Sequence, residues 1–398
     1  MKIAHIVRRF TFAEWGGTES VVWHVARQQQ SQGLTPEILC TAALDKTGTE
    51  IIDGITIRRF PYIYPYFPMP AKDKLALDKK GGNPFAVELM QTLKNGNYDI
   101  FHIHAGGRLA NCAMKLGRKL AVPCVMSLHG GSCAIPPQEM ELILKPLKHK
   151  FSYGGIIDRL LKLRCAPESR ADVLLALSRE EQKKLQERYP DKKVELFPNG
   201  ILHRELPEAG DFRQKYNIPE NKKVILCISR IDYQKNQKIL LELLNKYDDT
   251  HLLLVGPVTA AWYYDEILTT AEKPGVKERL TVIPGLKPDS AELLQAFKTA
   301  YCFVLPSRHE PFGIAALEAL DAEVPLIASA VGGLRDFLTD GKNALLFEDN
   351  NVGSLLEAYE KIDLLRDDLI AGGKVTACEY NWQNIAEKLT AIYRELKV

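Results

Sequence analysis

Short apolar runs alternate with longer amphipathic segments along almost the whole chain. In the first half the runs have the length and composition of buried strands: "KIAHIV", "PEILCT", "ITIRRF", "DIFHIH", "PCVMSL", "DVLLAL" and "KVELFP". Two segments between them carry apolar residues at helical spacing: "TESVVWHVARQQQSQ", which Gly33 closes, and "RLANCAMKLGRKL". Strands that alternate with helices predict βαβ units and a parallel sheet.

The alternation is interrupted once. Residues 203–223, "HRELPEAGDFRQKYNIPENKK", are polar and rich in charge. After them, strands are predicted at "VILCIS", "HLLLVG", "LTVIPG", "YCFVLPS", "PLIASA" and "NALLFE". Two βαβ series joined by a linker predict an α/β protein with two Rossmann-like, doubly wound domains, 1–203 and 204–380. We expect the domains to face each other across a cleft that holds the active site.

Composition and charge exclude several classes of protein. With 398 residues, 46% of them hydrophobic and 26% charged, the chain can form two globular cores. A net charge of +2 gives no nucleic-acid footprint, so no nucleic-acid partner is expected. No apolar run reaches the roughly 18 residues of a membrane span, and "MKIAHIVRRF" is too short and too charged for a signal peptide.

The eight cysteines are scattered singly and form no C-x-x-C pair. Several lie in apolar runs such as "VILCIS", which favours reduced, structural thiols in a cytoplasmic protein over disulfides. Cys133, in "HGGSC", is a candidate for a reactive thiol.

The stretch "HEPFGIAALEAL", residues 309–320, carries candidate chemistry. Proline favours extended geometry at the residue before it, so Glu310 should lie in a loop, whereas Glu318 lies within the helix that begins at "GIAAL". The backbone N–H groups of Phe312, Gly313 and Ile314 would be first-turn donors, and such a helix start attracts anions, typically phosphate. An ordinary strand-to-helix turn would carry the same residues, and that alternative stays open.

Basic residues and glycine pairs follow other predicted strands. Arg230 and Lys235 flank the loop "SRIDYQKNQ" after "VILCI", and together they could neutralise a diphosphate; a solvated basic turn is the alternative. Glycine pairs at 16–17, 106–107, 130–131 and 332–333 would let a backbone approach a ligand, although each could be a simple turn. The chain has no G-x-G-x-x-G and no G-x-x-x-x-G-K-[ST], which disfavours a dinucleotide oxidoreductase and a P-loop enzyme.

Nine segments, taken in order, resemble the GT-B retaining glycosyltransferases of family 4 nearly end to end. They are "GGTES…HVARQQQSQG", "DIFHIHAGG…KLAVPCVMSLHG", "LALS", "PNGI", "ISRIDYQKN", "LLLVGP", "PSRHEPFGIAALEAL", "VPLIASAVGGLRDFLTDGKNALLF" and "NWQNIAEKLTAIYREL". The Glu-x7-Glu element is the most specific of them. The resemblance implies two Rossmann-like domains, and a C-terminal helix at 381–398 that crosses back to the first domain.

The resemblance also implies roles for individual residues. Glu318 resembles the glutamate that accepts hydrogen bonds from the donor ribose, and Glu310 resembles the residue that contacts the transferred sugar. The N–H groups of Phe312, Gly313 and Ile314 would hold the sugar and the diphosphate. Arg230 and Lys235 resemble the pair that stabilises the departing diphosphate, Gly17 the glycine that approaches the phosphates, and His129 the histidine near the reaction centre.

Some positions depart from the family pattern or stay outside it. Leu202 and His203 follow "PNGI" where the family commonly has an aspartate, and "LLLVGP" lacks a second glycine, so the nucleotide base is not assigned. His102 and His104 alternate on one strand face, where a metal pair is conceivable. No third ligand at useful spacing is apparent in the sequence, so no metal site is predicted.

The predicted activity is transfer of a sugar from a UDP-, GDP- or ADP-sugar to a glycan or lipid-linked acceptor, without a cofactor. The chain contains no D-x-D, so Arg230, Lys235 and the helix start would replace a metal, and front-face attack would retain configuration. Segments 60–80 and 143–165 mix apolar and basic residues. They suggest peripheral association with the inner face of the plasma membrane and a role in polysaccharide or lipopolysaccharide biosynthesis. The alternatives are a GT-B epimerase or phosphorylase, or a non-catalytic nucleotide-sugar-binding protein.

Overall fold

The structure is a computed structural model that describes residues 1–13, 16–79, 81–129, 144–148, 150–208, 210–287 and 290–397. Its contacts divide the chain into two compact units. The N-terminal unit consists of Met1–Asn199 together with Trp382–Val398, and the C-terminal unit consists of Gly200–Asn381. Each unit contains one large, mainly parallel sheet, as the βαβ pattern predicts.

The N-terminal unit contains ten strands and several helices within its described residues. The strands are β1 (Lys2–Arg9), β2 (Thr35–Thr41), β3 (Gly48–Ile52), β4 (Ile55–Phe60), β5 (Tyr66–Phe67), β6 (Ile100–Ile103), β7 (Cys124–Ser127), β8 (Phe151–Ser152), β9 (Val173–Ala176) and β10 (Lys193–Leu196). The helices are α1 (Gly17–Ser31), α2 (Ala71–Lys79), α3 (Val87–Asn95), α4 (Gly107–Leu120), α5 (Gly154–Leu160) and α6 (Arg179–Arg188).

The large sheet of this unit has the order β10-β9-β7-β6-β1-β2-β4-β3. Its strands are parallel except that β3 pairs antiparallel with β4. The strands predicted from the sequence match β1, β2, β4, β6, β7, β9 and β10. From β1 the chain first adds strands on one side and later, from β6, on the other, so the topological switch point lies between β1 and β6.

In its described residues the C-terminal unit has six strands, in the order β13-β12-β11-β14-β15-β16, and the pairs between neighbours are parallel. The strands are β11 (Lys223–Ile228), β12 (Thr250–Val255), β13 (Leu280–Ile283), β14 (Cys302–Leu305), β15 (Leu326–Ser329) and β16 (Leu345–Phe347). The helices are α7 (Phe212–Lys215), α8 (Leu241–Lys246), α9 (Ala261–Ala271), α10 (Ala291–Thr299), α11 (Ile314–Asp321), α12 (Val352–Glu360) and α13 (Ile362–Glu379). All six strands fall on the predicted segments.

The core of the C-terminal unit explains why its strands are continuous apolar runs. Residues of β11, β12 and β14 are buried because helices cover both faces of a parallel sheet. On one face, Ile225, Leu254 and Val304 pack in a single cluster with helix residues that include Leu240 and Ile267. This packing fixes the strand ends, from which the functional loops begin.

The last helix, α14 (Trp382–Glu395), belongs to the N-terminal unit. Trp382 stacks on His24 of α1, with ring centroids 5.5 Å apart, and Thr390 donates a 2.7 Å hydrogen bond to Gln32. Tyr393 is completely buried and donates to or accepts from His102 Nδ1 at 2.6 Å. The final helix is therefore part of the N-terminal core.

A search of the described residues finds no helix with the length and apolar content that crossing a bilayer requires.

Candidate functional site

Two loops meet at the switch point of the C-terminal sheet, between β11 and β14. These strands pair directly, with Ile225 opposite Cys302, so their carboxyl ends lie side by side. The loop after β11 carries Lys235 and the loop after β14 carries Glu310. Ligands of open α/β sheets bind at such a point, outside the carboxyl ends of the strands.

Lys235 and Glu310 form an ion pair, with Nζ 2.6 Å from Oε2. Ser307 donates a second hydrogen bond, 3.2 Å long, to the same oxygen. The two side chains are only 14% and 10% exposed, so the pair is shielded from water and salt more than a surface pair is. Since both donors use Oε2, Oε1 is the oxygen available to accept a hydrogen bond from a ligand hydroxyl.

The backbone of the two loops is also connected. The N–H of Arg308 donates to the carbonyl of Gln234 at 2.8 Å, and the Arg308 guanidinium lies 4.6 Å from the ring centre of Tyr233. Asp232 accepts hydrogen bonds from the N–H groups of Gln234 and Lys235, at 3.0 and 3.2 Å. These bonds hold the Lys235 backbone in place independently of the ion pair.

Arg230 lies in the same loop but is more accessible. Its Nη2 is 3.3 Å from Asp232 Oδ2, and its side chain is 44% exposed. A guanidinium held this loosely can leave its carboxylate for a bound anion at small cost. Arg230 and Lys235 therefore supply one accessible and one shielded positive charge at the same strand end.

The Glu310 loop leads directly into α11. Glu310 precedes the helix and Glu318 lies inside it, as predicted. Gly313 has φ 98°, a conformation that glycine adopts readily, and a Cβ there would lie 2.4 Å from Leu334 Cδ2. The aromatic ring of Phe312 is buried against Phe337, so this residue can offer a ligand only its backbone.

The Gly332–Gly333 pair supports this loop. A Cβ on Gly332 would lie 2.2 Å from the Glu310 carbonyl oxygen, and Gly333 N–H donates to that oxygen at 2.9 Å. The sequence analysis interpreted this pair as a place where a ligand approaches the backbone. The close approach that the structure shows at Gly332–Gly333 is to another backbone segment.

Glu318 has a partner that the sequence analysis missed. Arg204 Nη1 is 3.4 Å from Glu318 Oε1, and the backbone N–H of Arg204 donates to Asp321 at 3.1 Å. His203 Nδ1 lies 2.8 Å from Asp321, and this hydrogen bond raises the pKa of His203. The residues that depart from the family pattern after "PNGI" thus place two basic side chains along α11. The sequence alone does not show these contacts, because they depend on how the loop packs against the helix.

The other two predicted site residues belong to the N-terminal unit. Gly17 is the first residue of α1, and a Cβ added to it would meet no atom within 4 Å. By contrast, a Cβ on Gly16 would lie 2.8 Å from Glu19 Oε2. Within this unit Gly17 therefore faces open space, as an approach to a ligand requires. Gly130, Gly131 and Cys133 lie outside the described residues.

A cavity of about 510 Å³ opens at the switch point of the N-terminal sheet. Its lining includes Arg8, Arg9, Glu19, Asn83, His104 and Gly106. Arg9 is paired with Glu19 at 3.0 Å, whereas Arg8 donates to the backbone carbonyls of Leu77 and Asp78, at 3.2 and 2.9 Å. Because Arg8 binds neutral carbonyls, its charge can act on an anionic ligand in the cavity.

His129 follows β7 and has φ 50°, an uncommon conformation for a residue other than glycine. Its Nε2 lies 3.0 Å from His104 Nδ1, and the other nitrogen of His104 lies 3.0 Å from His5 Nδ1. His5 Nε2 is 2.7 Å from Gln29 Oε1. Burial lowers the pKa of His5 and of His129 to about 4.

The sequence shows no third ligand at useful spacing from His102 and His104, but the fold brings His5 next to them. His5 pairs with His102 across β1 and β6, and nitrogen atoms of His5, His102 and His104 lie within 4.8 Å of one another. The two strands are far apart in the sequence, so local spacing could not reveal the cluster. His102 engages Ser127 and Tyr393 with its two nitrogens, at 2.7 and 2.6 Å. Burial keeps the pKa values of His102 and His104 well below the ordinary value.

Two family models match the chain, one in each half. The model described as "Glycosyltransferase Family 4" matches residues 15–203, and the model described as "Glycosyl transferases group 1" matches residues 209–393. A curated relative, D-inositol 3-phosphate glycosyltransferase 1 of Catenulispora acidiphila, is 26% identical, and the match covers 95% of this chain and 90% of the relative.

Solved structures with the same fold cover nearly the whole chain. Sucrose-phosphate synthase from Thermosynechococcus elongatus has a TM-score of 0.72 at 20% identity and covers 99% of this chain and 98% of its own. HepE of Anabaena in complex with UDP-glucose has a TM-score of 0.70 at 16% identity, with coverage of 99% and 100%. These likenesses establish the GT-B fold, and together with the two family models they show that the chain belongs to the group 1 glycosyltransferases of family 4.

Proposed function

We propose that this glycosyltransferase moves a sugar from a nucleotide-diphosphate sugar to a glycan or lipid-linked acceptor, with retention of configuration and without a metal. The observation that carries the proposal is the Lys235–Glu310 pair at the switch point of the C-terminal sheet. A nucleotide-diphosphate sugar needs cations for its phosphates and an acceptor for its hydroxyls, and this pair offers both.

The donor would be held by groups with distinct tasks. Lys235 and Arg230 would bind the diphosphate, and the N–H groups at the start of α11 would add donors to the same anion. Glu310 Oε1 would accept a hydrogen bond from a sugar hydroxyl, and Glu318 would accept from the ribose, with Arg204 orienting its carboxylate. The UDP-glucose complex of HepE supports a UDP-sugar as the first donor to test.

The chemistry follows from how the leaving group is held. Cleavage of the bond to the anomeric carbon puts negative charge on the diphosphate, and Lys235 and Arg230 would stabilise that charge. In front-face attack the acceptor hydroxyl bonds to the anomeric carbon on the side the diphosphate leaves, and a diphosphate oxygen takes the hydroxyl proton. Because Glu310 is assigned to sugar hydroxyls, no carboxylate of this set is left to act as the nucleophile of a double displacement.

The acceptor would bind in the N-terminal cavity. Its Arg8 favours an acceptor with an anionic group such as a phosphate. Lipid-linked glycans and the phosphorylated core sugars of lipopolysaccharide have such groups. A soluble polyol phosphate is a second candidate, which the relative named for D-inositol 3-phosphate favours.

Peripheral membrane association would bring the enzyme to a lipid-linked acceptor. The structure pairs β5 with β8 and so joins the two apolar and basic segments noted in the sequence. Phe67 and Phe151 lie opposite each other in this pair and are 70% and 66% exposed. Lys150 does not contribute charge to a membrane surface, because it is buried in an ion pair with Asp73 at 2.6 Å.

A panel of UDP-, GDP- and ADP-sugars tests the donor assignment by thermal shift. We expect one nucleotide class to raise the melting temperature, since a ligand at 100 times its Kd stabilises a protein by about 2.7 kcal/mol.

Transfer of the sugar to acceptor extracts, followed by NMR of the product anomer, then tests retention of configuration. A yellow chromophore bound to a lysine would indicate a phosphorylase, and interconversion of free sugars would indicate an epimerase. A protein that binds donors without transferring them would be a binding protein.

A further inference from the structure

Three histidines of the N-terminal unit form a continuous chain of hydrogen bonds that is buried up to His129, which is itself partly exposed. Gln29 Oε1 lies 2.7 Å from His5 Nε2, His5 Nδ1 lies 3.0 Å from His104 Nε2, and His104 Nδ1 lies 3.0 Å from His129 Nε2. Gln29 and His5 are completely buried, and His104 is nearly so. The hydrogen-bond chain runs from α1 through β1 and the residue after β6 to the second residue after β7.

A neutral imidazole has one N–H donor and one bare nitrogen acceptor. Burial lowers the pKa values of all three rings, so they are neutral near pH 7. In a head-to-tail chain of neutral rings, each bond needs one donor and one acceptor. All three rings must therefore have the same tautomer, either all with the proton on Nε2 or all with it on Nδ1.

The amide of Gln29 decides between these two states. The structure assigns the amide oxygen to the side that faces His5 Nε2, and an oxygen can only accept, so His5 carries its proton on Nε2 and presents a bare Nδ1 to His104; the opposite amide orientation would give the opposite tautomer, which 15N NMR distinguishes. The same assignment passes to His104 and then to His129. His129 is left with its proton on Nε2, directed at His104, and with a bare Nδ1.

We propose that Gln29, His5 and His104 are positioning residues that fix the tautomer of His129, so that Nδ1 accepts a hydrogen bond from a substrate hydroxyl. This inference rests on the proposed function and on the family resemblance, which implies that His129 lies near the reaction centre. The hydrogen-bond chain ends at the neutral amide of Gln29, which does not take up a proton. The hydrogen-bond chain therefore orients His129 and does not conduct protons away.

A metal ion would require a different state of the same histidines. His5 Nδ1 and His104 Nε2 point at each other at 3.0 Å, which suits a shared proton. A bound cation would need lone pairs on both atoms and would break the chain at this point. Metal binding is therefore an outcome that overturns the proposal.

The test is an NMR spectrum of the full-length protein with 15N-labelled histidine at pH 7.5. We expect His5, His104 and His129 all to show protonated Nε2 and bare Nδ1. A proton on Nδ1 of His129, or an even mixture of tautomers, would overturn the proposal. So would one equivalent of Zn²⁺ that binds and removes the Nε2–H signal of His104.

Gln29→Leu removes the acceptor that fixes the tautomers of the three histidines. Gln32→Leu, on the neighbouring turn, is the matched control. We expect His129 in Gln29→Leu to populate both tautomers, kcat to fall in proportion to the fraction that loses the bare Nδ1, about twofold for an even mixture, and KM for the donor to stay unchanged. Gln32→Leu should retain the wild-type tautomers. An unaltered His129 spectrum in Gln29→Leu would contradict the proposal.

The wild-type spectrum decides the tautomer even if Gln29→Leu does not fold. Because this spectrum needs no donor, failure to transfer sugar counts only against the proposed function.

Discussion

Lys235 and Glu310, 75 residues apart in the sequence, form an ion pair at the paired ends of β11 and β14. Each residue comes from a different loop. The Lys235 N–H donates to the Asp232 side chain, and the Arg308 N–H of the Glu310 loop donates to the Gln234 carbonyl. The ion pair is therefore a second connection between two loops that are already joined through their backbones. A ligand that binds there contacts a positive and a negative group whose positions are already fixed.

Replacing Lys235 with Met should both destabilise the C-terminal unit and abolish turnover. The change leaves the shielded Glu310 carboxylate without its cation, which costs about 1–3 kcal/mol. Lys246→Met is the matched control, because Lys246 pairs with Glu360 at a similar distance, 2.7 Å, but with both side chains largely exposed. Urea denaturation should show a clear loss for Lys235→Met and none for Lys246→Met; equal losses would mean that Glu310 is not shielded.

Glu318→Gln should weaken donor binding more than it slows the chemical step. The substitution removes a charged acceptor and its contact with Arg204. We expect KM for the donor to rise about 10-fold with kcat within about twofold, the pattern of a group that binds ground and transition states alike. Glu323→Gln, two residues beyond the end of the same helix and paired with Lys374, is the control. A fall in kcat with unchanged KM would assign Glu318 to the chemistry.

Gly332→Ala should distort the Glu310 loop. Both Gly332 and Gly341 have positive φ, 49° and 71°, so alanine at either position has the same kind of backbone strain, about 1 kcal/mol. Only at Gly332 would the added Cβ meet another atom, the Glu310 carbonyl oxygen, whereas the space around Gly341 is open. We expect a larger loss of stability and of donor affinity in Gly332→Ala. Similar behaviour of the two variants in thermal unfolding would show that the loop accommodates the methyl group.

The free energy of unfolding should fall as the pH drops below about 6.5. Burial lowers the pKa of His251 to about 4 from its ordinary value of 6.5. Between these values the unfolded chain binds a proton that the folded chain does not, so stability rises with pH and is complete above 6.5. His251→Asn should therefore reduce the slope measured by urea unfolding between pH 7.5 and pH 5, and the buried histidines of the N-terminal unit account for the slope that remains. An unchanged slope would mean that His251 stays protonated in the folded protein or titrates normally.

Membrane association would depend on the exposed aromatic pair. Phe67→Ser with Phe151→Ser should abolish co-sedimentation with anionic vesicles, whereas Leu364→Ser, at an exposed apolar residue of the C-terminal unit, should leave it intact. Wild-type protein that does not bind vesicles would refute the association and favour a soluble acceptor.

Much of the fold could be predicted from the sequence because buried parallel strands are continuous apolar runs. Strand β3 was missed because it is a polar edge strand, with Ile51 exposed. Its signal was the hairpin turn Asp53–Gly54, where both residues have positive φ. Strands β5 and β8 have only two residues each, too few for any periodicity to show.

The candidate site was predictable only where a local motif carried it. Glu310 and Glu318 have a recognisable spacing, and Arg230 and Lys235 follow a clear strand. The contacts of His5 and Arg204 depend on strand register and on a loop packed along a helix, neither of which leaves a trace in local spacing. The role of Gly332–Gly333 could not be decided from the sequence because a close approach to backbone and a close approach to a ligand require the same residue.

The most direct test of the central claim is calorimetric titration of the nucleotide-sugar into wild-type protein and into an Arg230→Gln, Lys235→Met double variant. The account predicts one donor per chain for wild type and a loss of at least about 100-fold in affinity for the double variant, with Lys246→Met unchanged. Donor binding of wild-type strength in the double variant would contradict it, because the diphosphate would then be held elsewhere.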